Sequence, residues 1–560
     1  MSDVNSKLNT SSSSLPEVSS NNNSNDAVVA FNPDLESQIA DDEELVRVES
    51  NTDVARELSR RLTESTNVKY DGPLPSMGAG KPFPEMMPDA EKYCVNWDGP
   101  DDPMHPHNWT LAKKFTQCAM IGFNTFCIAF GSAIFSEAVL PLAAIYHVHY
   151  VVTTLSVTLY VLGFATGPVV WAPLSELYGR RPVLILSSLA FCCFNFAVAV
   201  SDRLESILIC RFFAGCLGAA PLVVVPASFA DMFNNSQRGT AIVVFSMCVF
   251  VGPLIAPFIG GFIVANESLG WRWTSFITGI MAAASFVSIL LFEEETHHPI
   301  LLVQKAQRIK QLTGNWGIHA PHDEFTISFK DIVEKNLTRP VRMLFTEPIL
   351  LFITIYNSFI YGMIYLFLEA YPLVFANGYG MKPGVAELPY FGLVIGQLLG
   401  GLYCIWCERT YNAKLKARGG KILPEDRLPP MVAGGIMFPI GLFWFCWTGN
   451  YHNSVPWIVP TISGLCTGFG LITIFNPSIN YIIDCYLLFA ASAMAANTLM
   501  RSTFGAVFPL FATFMFENMG TNWAGLLLGC FATVLLFCPI AFIKWGKKLR
   551  QKSKFAFDLA

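Results

Sequence analysis

An all-α integral membrane protein, with twelve crossing helices in two bundles of six, is the fold class this sequence predicts. Three observations predict it. Hydrophobic residues fill 52% of the 560 positions and charged residues only 14%, well below the roughly one quarter charged of soluble domains. From Phe115 onward, apolar runs of about 20 residues recur, each long enough to cross roughly 30 Å of hydrocarbon at about 1.5 Å per residue. The runs fall into six, a polar interval and six more.

Residues 1–112 come first and differ in kind. "NTSSSSLPEVSSNNNSNDA" is rich in Ser and Asn, and "ESQIADDEELVRVES" is acidic with little periodicity. Neither stretch buries enough apolar surface to offset the entropy of ordering, so a disordered tail is expected. No charged-then-apolar signal sequence opens the chain, so a sequon such as Asn9-Thr-Ser is not expected to carry sugar. The spans are expected at 115–137, 152–173, 182–200, 205–229, 240–264 and 273–293, within a first bundle at 113–294. A basic central loop at 295–346 follows. The second bundle, 347–546, holds spans at 348–375, 388–406, 429–448, 456–481, 488–516 and 523–545, and 547–560 forms a tail.

Lysine and arginine set the orientation. With the N-terminus taken as cytosolic, the inward loops and C-terminal tail carry 22 basic residues, among them Arg180, Arg181 and Arg238, against 3 outward, Arg203, Arg272 and Lys382. Both termini are therefore expected in the cytosol. Two six-span halves joined by a basic loop suit bundles related by pseudo-symmetry, with a site near the bilayer midplane between them.

Composition also excludes. A net charge of −5 lacks the basic footprint of a nucleic-acid binder. The 15 cysteines are scattered in apolar runs, and the C-x-x-C at Cys404 and Cys407 has no second pair to complete a zinc site, so neither metal nor other cofactor is expected. No G-x-x-x-x-G-K-[ST] loop points to ATP-driven pumping, and no TVGYG-like segment to a selectivity filter. No nucleophile–base pair suggests an enzyme.

Between the second and third runs stands "GPVVWAPLSELYGRRPV", Gly167 to Val183. Gly179 permits a tight turn, and Pro182 is expected to open the next helix at its first position. Glu176 beside Arg180 and Arg181 is expected to form an ion-pair cluster that breaks when the bundles rock apart. The stretch resembles motif A of the major facilitator superfamily, the pattern falling on Ala172, Leu174, Ser175, Glu176, Leu177, Gly179, Arg180 and Arg181. The resemblance implies a cytoplasmic latch that holds the outward-open state. Ala172 replaces a glycine of the pattern, and Leu177 stands where Arg or Lys is usual.

In span four, "RFFAGCLGAA" is similar to motif B of that family, in which the arginine, here Arg211, is linked to proton transfer. A charge at mid-helix costs about 2.5–3.5 kcal/mol on insertion scales, so Arg211 is expected to have a partner. Gly215 and Gly218 leave room for a neighbouring helix. In span five, "GPLIAPFIGGF" resembles motif C, associated with antiporters. Pro253 and Pro257 remove backbone hydrogen bonds and are expected to bend the helix, and Gly252, Gly260 and Gly261 allow close packing around the bend. "WRWTSF" at 271–276 and "PEDRLPPMVAGGIMFPIGLFWF" at 424–445 are similar to the fungal twelve-span drug:proton antiporters, a group of multidrug and polyamine exporters. The resemblance runs from "VNWDGPDDPMHPHNW" at 95–109 to the end of the chain.

Spacing adds a pocket and a proton carrier. Asn357, Tyr361, Tyr365 and Glu369 are four apart in span seven and form one slowly winding polar stripe. Carboxylates within spans are rare and usually functional, so Glu369, with Arg211, is the expected proton-coupling group. Asn476 and Asn480 in span ten and Asn497 and Arg501 in span eleven are expected to line the same cavity.

The expected function is a proton-coupled antiporter in the plasma membrane. It exports hydrophobic or cationic small molecules, antifungal drugs or polyamines, and works as a monomer whose partners are its substrate, protons and the bilayer. An importer of polyamines or nutrients on the same fold, and a transporter-like sensor signalling through the tail, remain the alternatives.

Overall fold

A computed structural model of the chain describes residues 90–99, 101–324, 338–418, 423–486, 489–553 and 555. Among these, twelve helical segments are long and apolar enough to cross a membrane. In order they are span one, Leu111–Tyr146; two, Tyr150–Tyr178; three, Arg180–Val200; four, Leu204–Met232; five, Gln237–Ala265; and six, Arg272–Phe292. The second half holds seven, Pro348–Gly378; eight, Val385–Ala417; nine, Pro429–Asn450; ten, Ile458–Cys485; eleven, Ala490–Met519; and twelve, Thr521–Gln551. All twelve expected runs are found. Helices satisfy every internal backbone group without water, which is why apolar runs of this length take that form in lipid. Span eight outlasts its apolar window and continues through Tyr411 to Ala417, because Tyr411 is buried against neighbouring helices.

Packing repeats between the halves. Span one packs on five, two on four, and three on four and six; in the second half seven packs on eleven, eight on ten, and nine on ten and twelve. The two bundles meet where span two lies on eleven and span five on eight, a reciprocal pair of contacts that preserves the pseudo-two-fold relation. Small residues set the closest approaches: a methyl on Gly215 would run into the Tyr160 carbonyl of span two. Pro253 and Pro257 stand inside a helix that runs unbroken over Asn235–Ala265.

Residues 1–89 of the expected tail lie outside the described residues, but its last part is ordered. Residues 93–99 and 101–109 form a strap against the central loop and its helix His298–Thr313: Val95 donates its amide to the His319 carbonyl at 2.9 Å, and Lys305 bonds Asp98 at 2.8 Å. Composition pointed away from order here because the strap's partners lie two hundred residues downstream. At the other terminus, helix continues through the expected tail as far as Lys552.

Candidate functional site

Arg211 is 1% exposed and is held inside the first bundle. Its guanidinium donates to the carbonyls of Ser156 (3.1 Å), Gly131 (2.9 Å) and Ser132 (3.5 Å), and lies between the rings of Phe135 and Tyr160, 4.6 and 4.2 Å from their centroids. The expected partner is thus not a carboxylate but backbone oxygen and aromatic faces, which together compensate a buried cation. From Arg211 a polar line crosses the bundle interface. Ser132 shares a hydrogen bond of 3.0 Å with the Tyr365 hydroxyl, Tyr365 one of 3.3 Å with Tyr361, and Arg501 lies 4.6 Å over the Tyr361 ring. Arg501 is 5% exposed and its Nε has no hydrogen-bond partner among the described residues.

The asparagines divide between two sites. Asn357 donates to Asn497 at 3.2 Å and accepts from Ser478 at 2.7 Å, which ties spans seven, ten and eleven together. Asn476 accepts from Ser246 of span five at 2.7 Å, across the bundles, and Asn480 donates to the Asn476 carbonyl. Asn476 and Asn480, unlike the others, line a cavity of about 210 Å³ with Tyr411, Arg427 and Glu408. That is below the ~300 Å³ at which small-molecule pockets begin. Glu369 does not reach Arg501. The Thr513 hydroxyl donates to its Oε2 at 3.3 Å.

The loop between spans two and three is built as the sequence implies, with different partners. Gly179 sits at φ +96°, and a methyl there would strike the Glu295 carboxylate. That carboxylate accepts the Arg180 and Arg181 amides at 2.8 and 3.1 Å. The Arg180 side chain bonds Asp231, at the end of span four, at 3.2 Å, and Ser175 at 2.7 Å. Asp231 of the first bundle and Glu295 at the start of the central loop bind this turn, two acids that the sequence reading did not name beside Glu176. Beside them Glu293 is 2% exposed; burial, then the neighbouring Glu295 charge, pushes its carboxyl up to about 8.

The family model described as Major Facilitator Superfamily matches residues 121–509. The chain is 50% identical over 548 residues to the Major facilitator superfamily multidrug transporter FLU1 of Candida albicans, covering 97% of this chain and 90% of that protein. It is 53% identical over 518 residues to the multidrug transporter TPO1_2 of Candida glabrata, covering 91% and 89%. The chain belongs to the major facilitator superfamily. Among solved structures, a D-xylose-proton symporter has the same fold, with a TM-score of 0.54 at 15% identity, covering 80% of this chain and 98% of that one.

Within the superfamily fold, the second bundle repeats the turn of the first, and sequence reasoning missed it. Arg427, in the loop between spans eight and nine, bonds Asp484 at the end of span ten, as Arg180 bonds Asp231 at the end of span four. It also bonds Glu408 at 2.8 Å and lies 4.1 Å over the Tyr411 ring. Burial alone would lower the Arg427 guanidinium, but the charges of Asp484 and then Glu408 outweigh it and hold the group above its ordinary value. A methyl on Gly239 of span five would lie 2.6 Å from the Glu408 carboxylate, so this network abuts the first bundle. The available signal was positional: each arginine follows its half's second span and each aspartate ends its fourth.

Proposed function

We propose that the chain is a proton-coupled antiporter that exports hydrophobic or cationic small molecules by alternating access. On this reading it sits in the plasma membrane as a monomer with both termini in the cytosol, and it transports its substrate rather than transforming it. Glu369 carries the reading: it is an acid inside span seven that takes a hydrogen bond from the Thr513 hydroxyl and makes no ion pair among the described residues, one turn from Tyr365 on the polar line that joins Arg211, Tyr365, Tyr361 and Arg501. A carboxyl so placed exchanges a proton far more readily than it holds an ion pair. The relatives named as multidrug transporters support export of drug-like cargo, and the ring cluster of Phe250, Tyr361 and Phe475 between the bundles offers faces that suit flat apolar or cationic molecules. One proton moving inward down about 100 mV supplies about 2.3 kcal/mol, enough for appreciable uphill export.

The test is solute flux in proteoliposomes under an imposed pH gradient, with the purified full-length protein and a panel of lipophilic and polyamine cations. The gradient drives accumulation in the wild type, and Glu369→Gln abolishes the gradient-driven part while the protein remains folded. Accumulation that ignores the gradient, or survives unchanged in the variant, refutes the reading.

A further inference from the structure

The end of the bundles opposite Arg180 is extracellular in the proposed orientation, and it holds two acids not used above. Glu137 lies in the helical turn Ile134–Ala138 of span one, in the first bundle. Glu387 lies in the turn Val385–Glu387 that opens span eight, in the second. Both press on successive glycines of span five. A methyl on Gly260 would lie 3.0 Å from Glu137 Cγ, and one on Gly261 would lie 3.3 Å from Glu387 Cγ and 2.9 Å from Gly384 Cα. Gly384, at φ +84°, brings its backbone against span five where no side chain would fit. This end of the interface is therefore shut by backbone contact, with the two acids packed beside it.

The surroundings offer these acids no cation. Glu387 is 3% exposed, and its Oε2 has no hydrogen-bond partner among the described residues. Glu137 takes one hydrogen bond of 3.3 Å from Ser136. The charged and titratable groups that act on the pair are Glu369 of span seven, which faces Glu137, and Tyr390 of span eight, whose hydroxyl donates to the Phe367 carbonyl. Among the described residues, none of the three glutamates makes an ion pair. Two ionised carboxylates cannot share such a site, whereas a carboxyl and a carboxylate, or two carboxyls, can.

We infer that Glu137 and Glu387 form a second proton-binding site, made of one acid from each bundle, that closes the extracellular end when it takes up a proton. The orphan Oε2 of Glu387 is where that proton sits. Losing it leaves two buried like charges on opposite bundles, and their repulsion parts Gly384 from Gly261, so the end opens. The order suits an antiporter: the outward-open state gathers a proton, closes, and carries it inward. The inference rests on alternating access but not on which solute moves or on Glu369.

The test needs no substrate. In the purified full-length protein, reaction with dicyclohexylcarbodiimide, which attacks protonated carboxyls in apolar sites, is mapped by mass spectrometry against pH. In parallel, spin labels at Glu267→Cys and His452→Cys report the separation of the bundles at this end. The wild type shows labelling at Glu387 or Glu137 that fades as pH rises. The ratio of closed to open then falls up to about tenfold per pH unit for one proton. Glu387→Gln and Glu137→Gln remain closed at every pH. The site is overturned if neither acid is labelled at any pH at which the protein stays folded, or if both variants keep the wild-type pH dependence. Should a variant fail to fold, the labelling map of the wild type decides. Loss of flux with this pH response retained sinks the transport reading alone.

Discussion

The two ends of the bundle interface are built on different physics. At the Arg180 end each bundle places an arginine in the turn after its second span and an aspartate at the end of its fourth, and Glu295 and Glu408 complete the pairs. At the other end Glu137, Glu369 and Glu387 gather without an arginine or lysine paired to any of them among the described residues, and glycine backbones make the seal. Charges paired inside the protein stay satisfied over the whole range in which arginine and aspartate remain ionised. Unpaired acids are satisfied only when protonated. On the inference above, one end is a clasp of charges paired within each bundle, sensitive to which residues are present, and the other responds to protons.

Breaking the clasp gives the largest expected effect. Arg427→Ala removes the cation bonded to buried Asp484 and half-buried Glu408 and leaves only the charge of Arg238 acting on them, and removing one partner of a buried pair costs about 3–5 kcal/mol. Thermal unfolding in detergent should fall sharply, and labelling of a cysteine near Gln237 should rise as this end loosens. Unchanged stability would make the repeat of Arg180–Asp231 by Arg427–Asp484 a coincidence of topology.

Next in size is the glycine seal. Gly261→Val drives a side chain into Gly384 and Glu387, and overpacking of this kind costs roughly 1–3 kcal/mol. Set against the closed state alone, that shifts the population about fivefold to 150-fold toward outward-open. Transport falls while overall stability holds, the reverse of the Arg427 result. A variant that closes and transports normally would show that the contact is incidental.

The smallest effect sharpens the comparison by showing that an acid at the clasp end behaves differently from its neighbours. Glu293, raised from 4.5 to about 8, binds its proton more tightly folded than unfolded. Its contribution to stability is therefore present at acidic pH and is lost as pH rises through that window, with a slope of at most about 1.4 kcal/mol per pH unit. Glu293→Gln removes this component, so the melting temperature of the variant falls less between those limits than that of the wild type. Parallel curves would place Glu293 in contact with water.

Much of the fold was legible because lipid imposes length on a helix. Twelve runs gave twelve spans, and the glycine pair Gly260–Gly261 lies at a close approach as its motif implied. The polar stripe of span seven was legible from its spacing, and Tyr361 and Tyr365 do share a hydrogen bond. Partners were not legible. Arg211 is satisfied by carbonyls and rings, which no pattern announces, and Asp231 and Glu295 lie far along the chain from the turn they hold. Glu137 and Glu387 escaped notice for a different reason: each stands in a turn at the edge of an apolar run, where hydration is the ordinary expectation for a carboxylate. Only the packing of one bundle on the other buries Glu387.

The central claim, that protons govern one end and not the other, is tested most directly by measuring both ends of one substrate-free protein as pH is raised. One labelled pair, Glu267→Cys with His452→Cys, spans the acidic end; another, Gln237→Cys with Lys416→Cys, spans the clasp, and all four positions are exposed. The account predicts that the first distance lengthens from acid to alkaline pH while the second stays constant or shortens. A first distance that does not respond to pH, or a second that lengthens while the first stays fixed, would contradict it.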